Sequence, residues 1–174
     1  MPEPSLSDQS RTRRALYIRS FIFGTEDSLV STVGLLAGVA VAGVTREDII
    51  VAGVVLIFVE ALSMAVGSFL SEDAAEEYVR QGDAPVASSV RAGSIMFISY
   101  FAFGFIPLAP YLIWPVAQAF WLSIGASLAA LWLLGFVSGR KFRVNQWRSA
   151  LKMLILGGAA IGIGVIVGQL LNNS

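Results

Sequence analysis

Cysteine and histidine are both absent from this chain. Without cysteine there is no disulfide, thiolate metal site or iron–sulfur cluster. Without histidine there is no imidazole metal site, no histidine-based triad and no ordinary neutral-pH proton shuttle. Charge is scarce as well: 14% of the 174 residues are Asp, Glu, Lys or Arg, against about a quarter in a soluble domain. Basic and acidic residues balance at twelve each, so no basic excess points to nucleic acid. No lysine lies mid-span in any apolar stretch, which leaves a carboxylate pair as the only acid–base couple available, and an enzyme is not expected. Any cation site must be built from carboxylates, carbonyls, hydroxyls or methionine sulfur.

What the chain has is apolar length. It is 56% hydrophobic, with a mean hydropathy of +0.73, and its long apolar runs identify an all-α integral membrane protein. Five stretches are long enough to cross a bilayer at 1.5 Å rise per residue. They cover about residues 20–44, 49–70, 92–113, 115–138 and 150–171, preceded by a polar tail over 1–19 and interrupted by a loop over 71–91. The first stretch is too long for a signal-peptide core and no small-residue cleavage site follows it, so it reads as a retained helix. No soluble domain is visible.

The basic residues give a direction. Eleven of the twelve, from Arg11 through Arg80 and Arg91 to Lys152, fall on one side of this five-span topology, and Arg46 alone falls on the other. By the positive-inside rule the N-terminus is cytoplasmic and the C-terminus outside. The expected location is a multi-pass protein of a prokaryotic plasma membrane, with the lipid bilayer as its principal partner.

Two carboxylates interrupt the apolar runs: Asp27 in the first span and Glu60 midway along the second. A charge at bilayer depth costs roughly 2.5–3.5 kcal/mol on insertion scales, so it survives mainly beside a polar path. Met64 follows Glu60 by one helical turn on the same face. Counting rise from the cytoplasmic ends, Asp27, Glu60 and Met64 fall within one layer, about 9–15 Å deep. Glu26 points about 100° away from Asp27 around the helix and is a further candidate. Carboxylates suit hard divalent ions and thioether sulfur suits softer ones, a combination that fits Fe²⁺ or Mn²⁺ better than Ca²⁺ or Mg²⁺. Ligand protonation would couple release of the ion to proton uptake. Glu72, Asp73, Glu76 and Glu77 form an acidic cluster at the cytoplasmic mouth that would collect cations. Each candidate has a plainer reading: a helix cap at Asp27, an inter-helix strut at Glu60, packing at Met64, a solvated helix end at Glu72–Glu77.

Glycine spacing bears on assembly. Gly34/Gly38, Gly158/Gly162 and Gly164/Gly168 each stand four apart and permit close helix contact. Five helices make a thin protomer, and a two-fold homodimer would double the ligand set.

The stretch Phe23–Gly43 (FGTEDSLVSTVGLLAGVAVAG), the stretch Glu60–Ser71 (EALSMAVGSFLS), the segment FGFIPLAPYL over Phe103–Leu112 and the run from Trp147 to Gly168 resemble the vacuolar iron transporter family of divalent-metal exporters. The resemblance reaches from about Ala15 to the end of the chain. It implies a five-helix protomer, a homodimer with its path between the first two helices of both subunits, and Fe²⁺ or Mn²⁺ exchanged for protons with no tightly bound cofactor. It maps that family's transport-path aspartate onto Asp27 and its methionine onto Met64. Ser28 stands where the family has glycine, Glu26 where asparagine is common, and Ser68 where a carboxylate often follows the methionine. The acidic metal-binding domain that vacuolar members insert between helices two and three has no counterpart in the roughly twenty residues here. The leading expectation is a proton-coupled exporter of cytoplasmic Fe²⁺ or Mn²⁺. Its rival is a non-transporting metal sensor or structural subunit that keeps the fold.

Overall fold

A computed structural model describes the backbone of residues 6–82 and 85–173, with side chains from residue 13 onward. The first part of the polar tail, 1–5, lies outside the described residues. Five helices follow one another: α1 (Leu6–Val41), α2 (Arg46–Arg80), α3 (Ala87–Ile113), α4 (Val116–Lys141) and α5 (Gln146–Asn172). All five are long and apolar enough to cross a membrane. Hydropathy located the spans, but the helices run past them. α1 continues back through the basic residues before Ser20, and α2 continues ten residues past Leu70 to Arg80. Lipid selects the apolar portion, whereas helix formation needs only good formers, and Glu72–Arg80 supplies alanine, glutamate and arginine.

The connections are short and chemically marked. Thr45 caps α2: its Oγ1 accepts from the Asp48 amide at 3.3 Å and donates to the Asp48 carboxylate at 2.7 Å. Glu47 and Asp48 set negative charge against the amino end of the helix. α2 ends on Gln81 in the left-handed region, φ 54°. Pro115 starts α4 directly after α3, and Asn145 caps α5 by accepting from the Trp147 and Arg148 amides.

α1 is the most enclosed span, packed against all four other helices. Its seam with α5 is backbone on backbone. A Cβ at Gly38 would lie 2.6 Å from the Gly164 carbonyl oxygen, and one at Gly164 or Gly168 would collide with the Gly34 or Gly38 carbonyl. Two of the three glycine pairs are therefore spent inside the protomer, while Gly158 and Gly162 meet nothing within 4 Å. Leu36, Ile49, Ile57, Leu108, Tyr111 and Ala119 from α1–α4 form the main apolar core. It fills the half of the bundle away from the basic residues.

Candidate functional site

α3 lies against α1 at the turn that carries Asp27. Ser28 Oγ donates to the Tyr100 carbonyl at 2.5 Å, and Ser31 Oγ shares a hydrogen bond of 2.7 Å with the Tyr100 hydroxyl. Tyr100 is fully buried. Gly104 lets Ser28 and Ile57 close on α3, since a Cβ there would lie 2.8–2.9 Å from both. These contacts fix the rotation of α1 and with it the direction of the neighbouring acids.

Asp27 and Glu60, both half-buried, come close enough across the α1–α2 contact to repel each other electrostatically. The Tyr100 hydroxyl lies within the field of both. Among the described residues the one ion pair is Arg19–Glu72, 3.9 Å, near the basic end. Neither Asp27 nor Glu60 has a basic side chain at ion-pair distance among the described residues. Tyr100 was not among the sequence candidates. Its distance of about seventy residues from Ser31 gives no local pattern, and the only cue is a tyrosine hydroxyl in an apolar span, which needs a partner.

Met64 lies one turn from Glu60 toward the basic end. It lines a cavity of about 620 Å³ between α1, α2 and α3 together with Ser20, Ser63, Ser68, Ser71 and Met96. Glu26 turns elsewhere: it lines a second, shallower cavity of about 340 Å³ with Arg19, Ile22 and Phe142. The acidic cluster sits on the extension of α2. Glu72 pairs with Arg19, Glu76 accepts a 2.5 Å hydrogen bond from Ser88 Oγ, Asp73 is half-buried and Glu77 exposed. Among the described residues no three acidic side chains converge to cage an ion unaided. One protomer supplies an acid pair and a sulfur-lined antechamber.

Comparison with known proteins agrees with the resemblance read from the motifs. The profile of the VIT family matches residues 18–85 and 79–169. A protein of Toxoplasma gondii described as a vacuolar iron transporter is 21% identical over 224 residues, covering 89% of this chain and 74% of its own length. Vacuolar iron transporter 1 of Tulipa gesneriana is 24% identical over 203 residues, 82% of each chain. Vacuolar iron transporter homolog 1 of Oryza sativa subsp. japonica is 40% identical over a shorter match of 58 residues, 33% of this chain and 25% of its own. All three sources are eukaryotes and all three names refer to the vacuole, so the comparisons lend no support to the expected prokaryotic plasma membrane.

Proposed function

The chain belongs to the VIT family, and from that premise we propose that it exports Fe²⁺ or Mn²⁺ from the cytoplasm in exchange for protons. The carrying observation is the pair Asp27 and Glu60, like charges within electrostatic reach of each other on neighbouring membrane-spanning helices, with no basic side chain paired to either among the described residues. A divalent ion between them removes both the repulsion and the cost of burying charge. Protons do the same, so the two compete for one site, and binding of one drives departure of the other.

A homodimer completes the path. α2 exposes Ser63, Gly67 and Ser71, one turn apart, on a helix whose other exposed residues are mostly large and apolar. A small polar stripe is poorly matched to lipid and well matched to a second copy across a hydrated seam. Two copies would place two acid pairs and two Met64 sulfurs around one axis. The ion would enter at the basic, cytoplasmic end past Glu72, Asp73, Glu76 and Glu77, and the N-terminus would be inside by the distribution of basic residues.

The test is flux in proteoliposomes under an imposed pH gradient. Wild-type protein is expected to move Mn²⁺ and Fe²⁺, and Asp27→Asn to lower the rate by about tenfold or more. Absence of flux in wild type, with Asp27→Asn indistinguishable from it, overturns the proposal. The short 81–86 connection between α2 and α3 favours a second reading, a metal sensor or structural subunit that keeps the fold without flux. Metal-dependent capture of a partner without transport would select it.

A further inference from the structure

The cavity that separates the basic mouth from the acid pair has an unexpected chemistry. Among the described residues no carboxylate lines it. Its donors are two thioethers, Met64 from α2 and Met96 from α3, and the hydroxyls of Ser20, Ser63, Ser68 and Ser71. Arg19 also reaches it, with its charge answered by Glu72.

Two details fix where the Met96 side chain meets the cavity. Gly24 lets α3 close on α1 at this point, because a Cβ there would collide with Ser99 Oγ and lie 3.0 Å from both the carbonyl oxygen and the Sδ of Met96. Met96 itself is only 5% exposed, so its contact with the cavity is confined to that wall. Ser20 is 1% exposed, lines the same cavity, and its Oγ has no hydrogen-bond partner among the described residues. A buried hydroxyl left unpaired costs about 1–3 kcal/mol, and this one lines the same cavity as both methionines.

We propose that Met64, Met96 and the Ser20 hydroxyl form a separate cation station, selective for soft and borderline ions, through which cargo passes before it reaches Asp27. The proposal rests on the transport reading for its purpose, though not for its chemistry. Thioether sulfur binds soft ions and adds little for Mg²⁺ or Ca²⁺, which demand oxygen ligands and shed water reluctantly. Asp27 and Glu60 alone would accept any divalent cation. A sulfur-lined station in front of them biases the path against the hard ions that abound in cells. Ser20 lies about 10 Å and Met64 about 6 Å nearer the basic end than the acid each precedes along the path, by helical rise.

The direct probe is Ag⁺, a redox-inert soft ion, titrated calorimetrically into the full-length protein in chloride-free detergent buffer. Wild type and the control Met153→Leu are expected to bind alike, and Met64→Leu and Met96→Leu each to weaken binding by about tenfold or more. Leucine is close to methionine in volume, so both substitutions should preserve packing. Binding by Met96→Leu equal to wild type overturns the proposal, as does equal loss in Met153→Leu. A measurement that needs no variant is silver-edge X-ray absorption on the wild-type complex. Two sulfur neighbours are expected, and a shell with one sulfur or none overturns the station. In proteoliposomes, Met96→Leu should make Mn²⁺ flux more sensitive to competing Mg²⁺, and unchanged competition counts against the proposal. Silver bound by both sulfurs in a protein without Mn²⁺ or Fe²⁺ flux would remove the transport reading and leave the site. Flux with no role for Met96 in silver binding would do the reverse.

Discussion

The two ends of the helix bundle are built on opposite principles. At the end that carries Arg46, the chain is sealed. Arg46 donates from Nε to the Tyr111 carbonyl and from its terminal nitrogen to the Leu112 carbonyl, both at 2.6 Å. It thereby stitches the start of α2 to the last turn of α3, where unpaired carbonyls attract positive charge. Beneath it lie the apolar core and the glycine contact of α1 with α5. At the basic end the helices enclose a cavity, and Ser20 and Ser89 carry buried hydroxyls without partners. Among the described residues, buried hydroxyls without partners occur in both halves, Tyr111 in the apolar core included, so the contrast lies in the Arg46 bonds at one end and the cavity at the other. The difference teaches which end of the structure is closed and which is accessible.

Substitutions can break that contrast. The largest effect is expected at the seam of the sealed half. Gly168→Leu drives a side chain into the Gly38 carbonyl and should cost about 3 kcal/mol or more, seen as loss of monodisperse, cooperatively melting protein. Gly125→Leu on α4, where nothing lies within 4 Å, should shift stability by no more than about 0.5 kcal/mol in detergent. Equal losses at both positions would dissolve the distinction. Arg46→Ala removes two charge-assisted hydrogen bonds and should cost about 2 kcal/mol, with faster amide exchange confined to the last turn of α3. Tyr100→Phe deletes the bond to Ser31 and should cost about 1 kcal/mol, while loosening the setting of α1 so that metal flux falls more than stability does. At the open end, Arg19→Gln breaks a long, 3.9 Å pair between an exposed arginine and a half-buried Glu72 and should change the melting free energy by less than about 1 kcal/mol.

Much of this was legible in the sequence, and the reasons differ by residue. The five spans follow from hydropathy, because the cost of exposing polar backbone in lipid leaves a long apolar run few alternatives to a helix. Counting rise from one face puts Asp27 and Glu60 in one layer, and the two lie within electrostatic reach of each other on neighbouring helices. Rotation about the helix axis was less readable. Glu26 is adjacent in sequence to Asp27 yet lines a cavity with Phe142 from which Asp27 is absent. The roles of Tyr100 and Met96 depend on the register of α3 against α1, set by Ser28, Gly24 and Gly104 together, and no local spacing announces that register. The glycine pairs gave the right physics without the address: close contact at Gly34/Gly38 and Gly164/Gly168 occurs within the protomer.

α2 is one continuous helix of 35 residues with no proline along it, so it measures about 52 Å against a hydrocarbon thickness of about 30 Å. A rod of that length transmits tilt. Glu60 and the tip at Tyr78, which is 83% exposed, sit on the same stiff shaft, so a tether, antibody or fluorophore fixed near Tyr78 holds a lever whose other arm is the mid-membrane acid. Spectroscopic labels placed there would report angular movement of the deep carboxylate directly, and clamps placed there would restrain it.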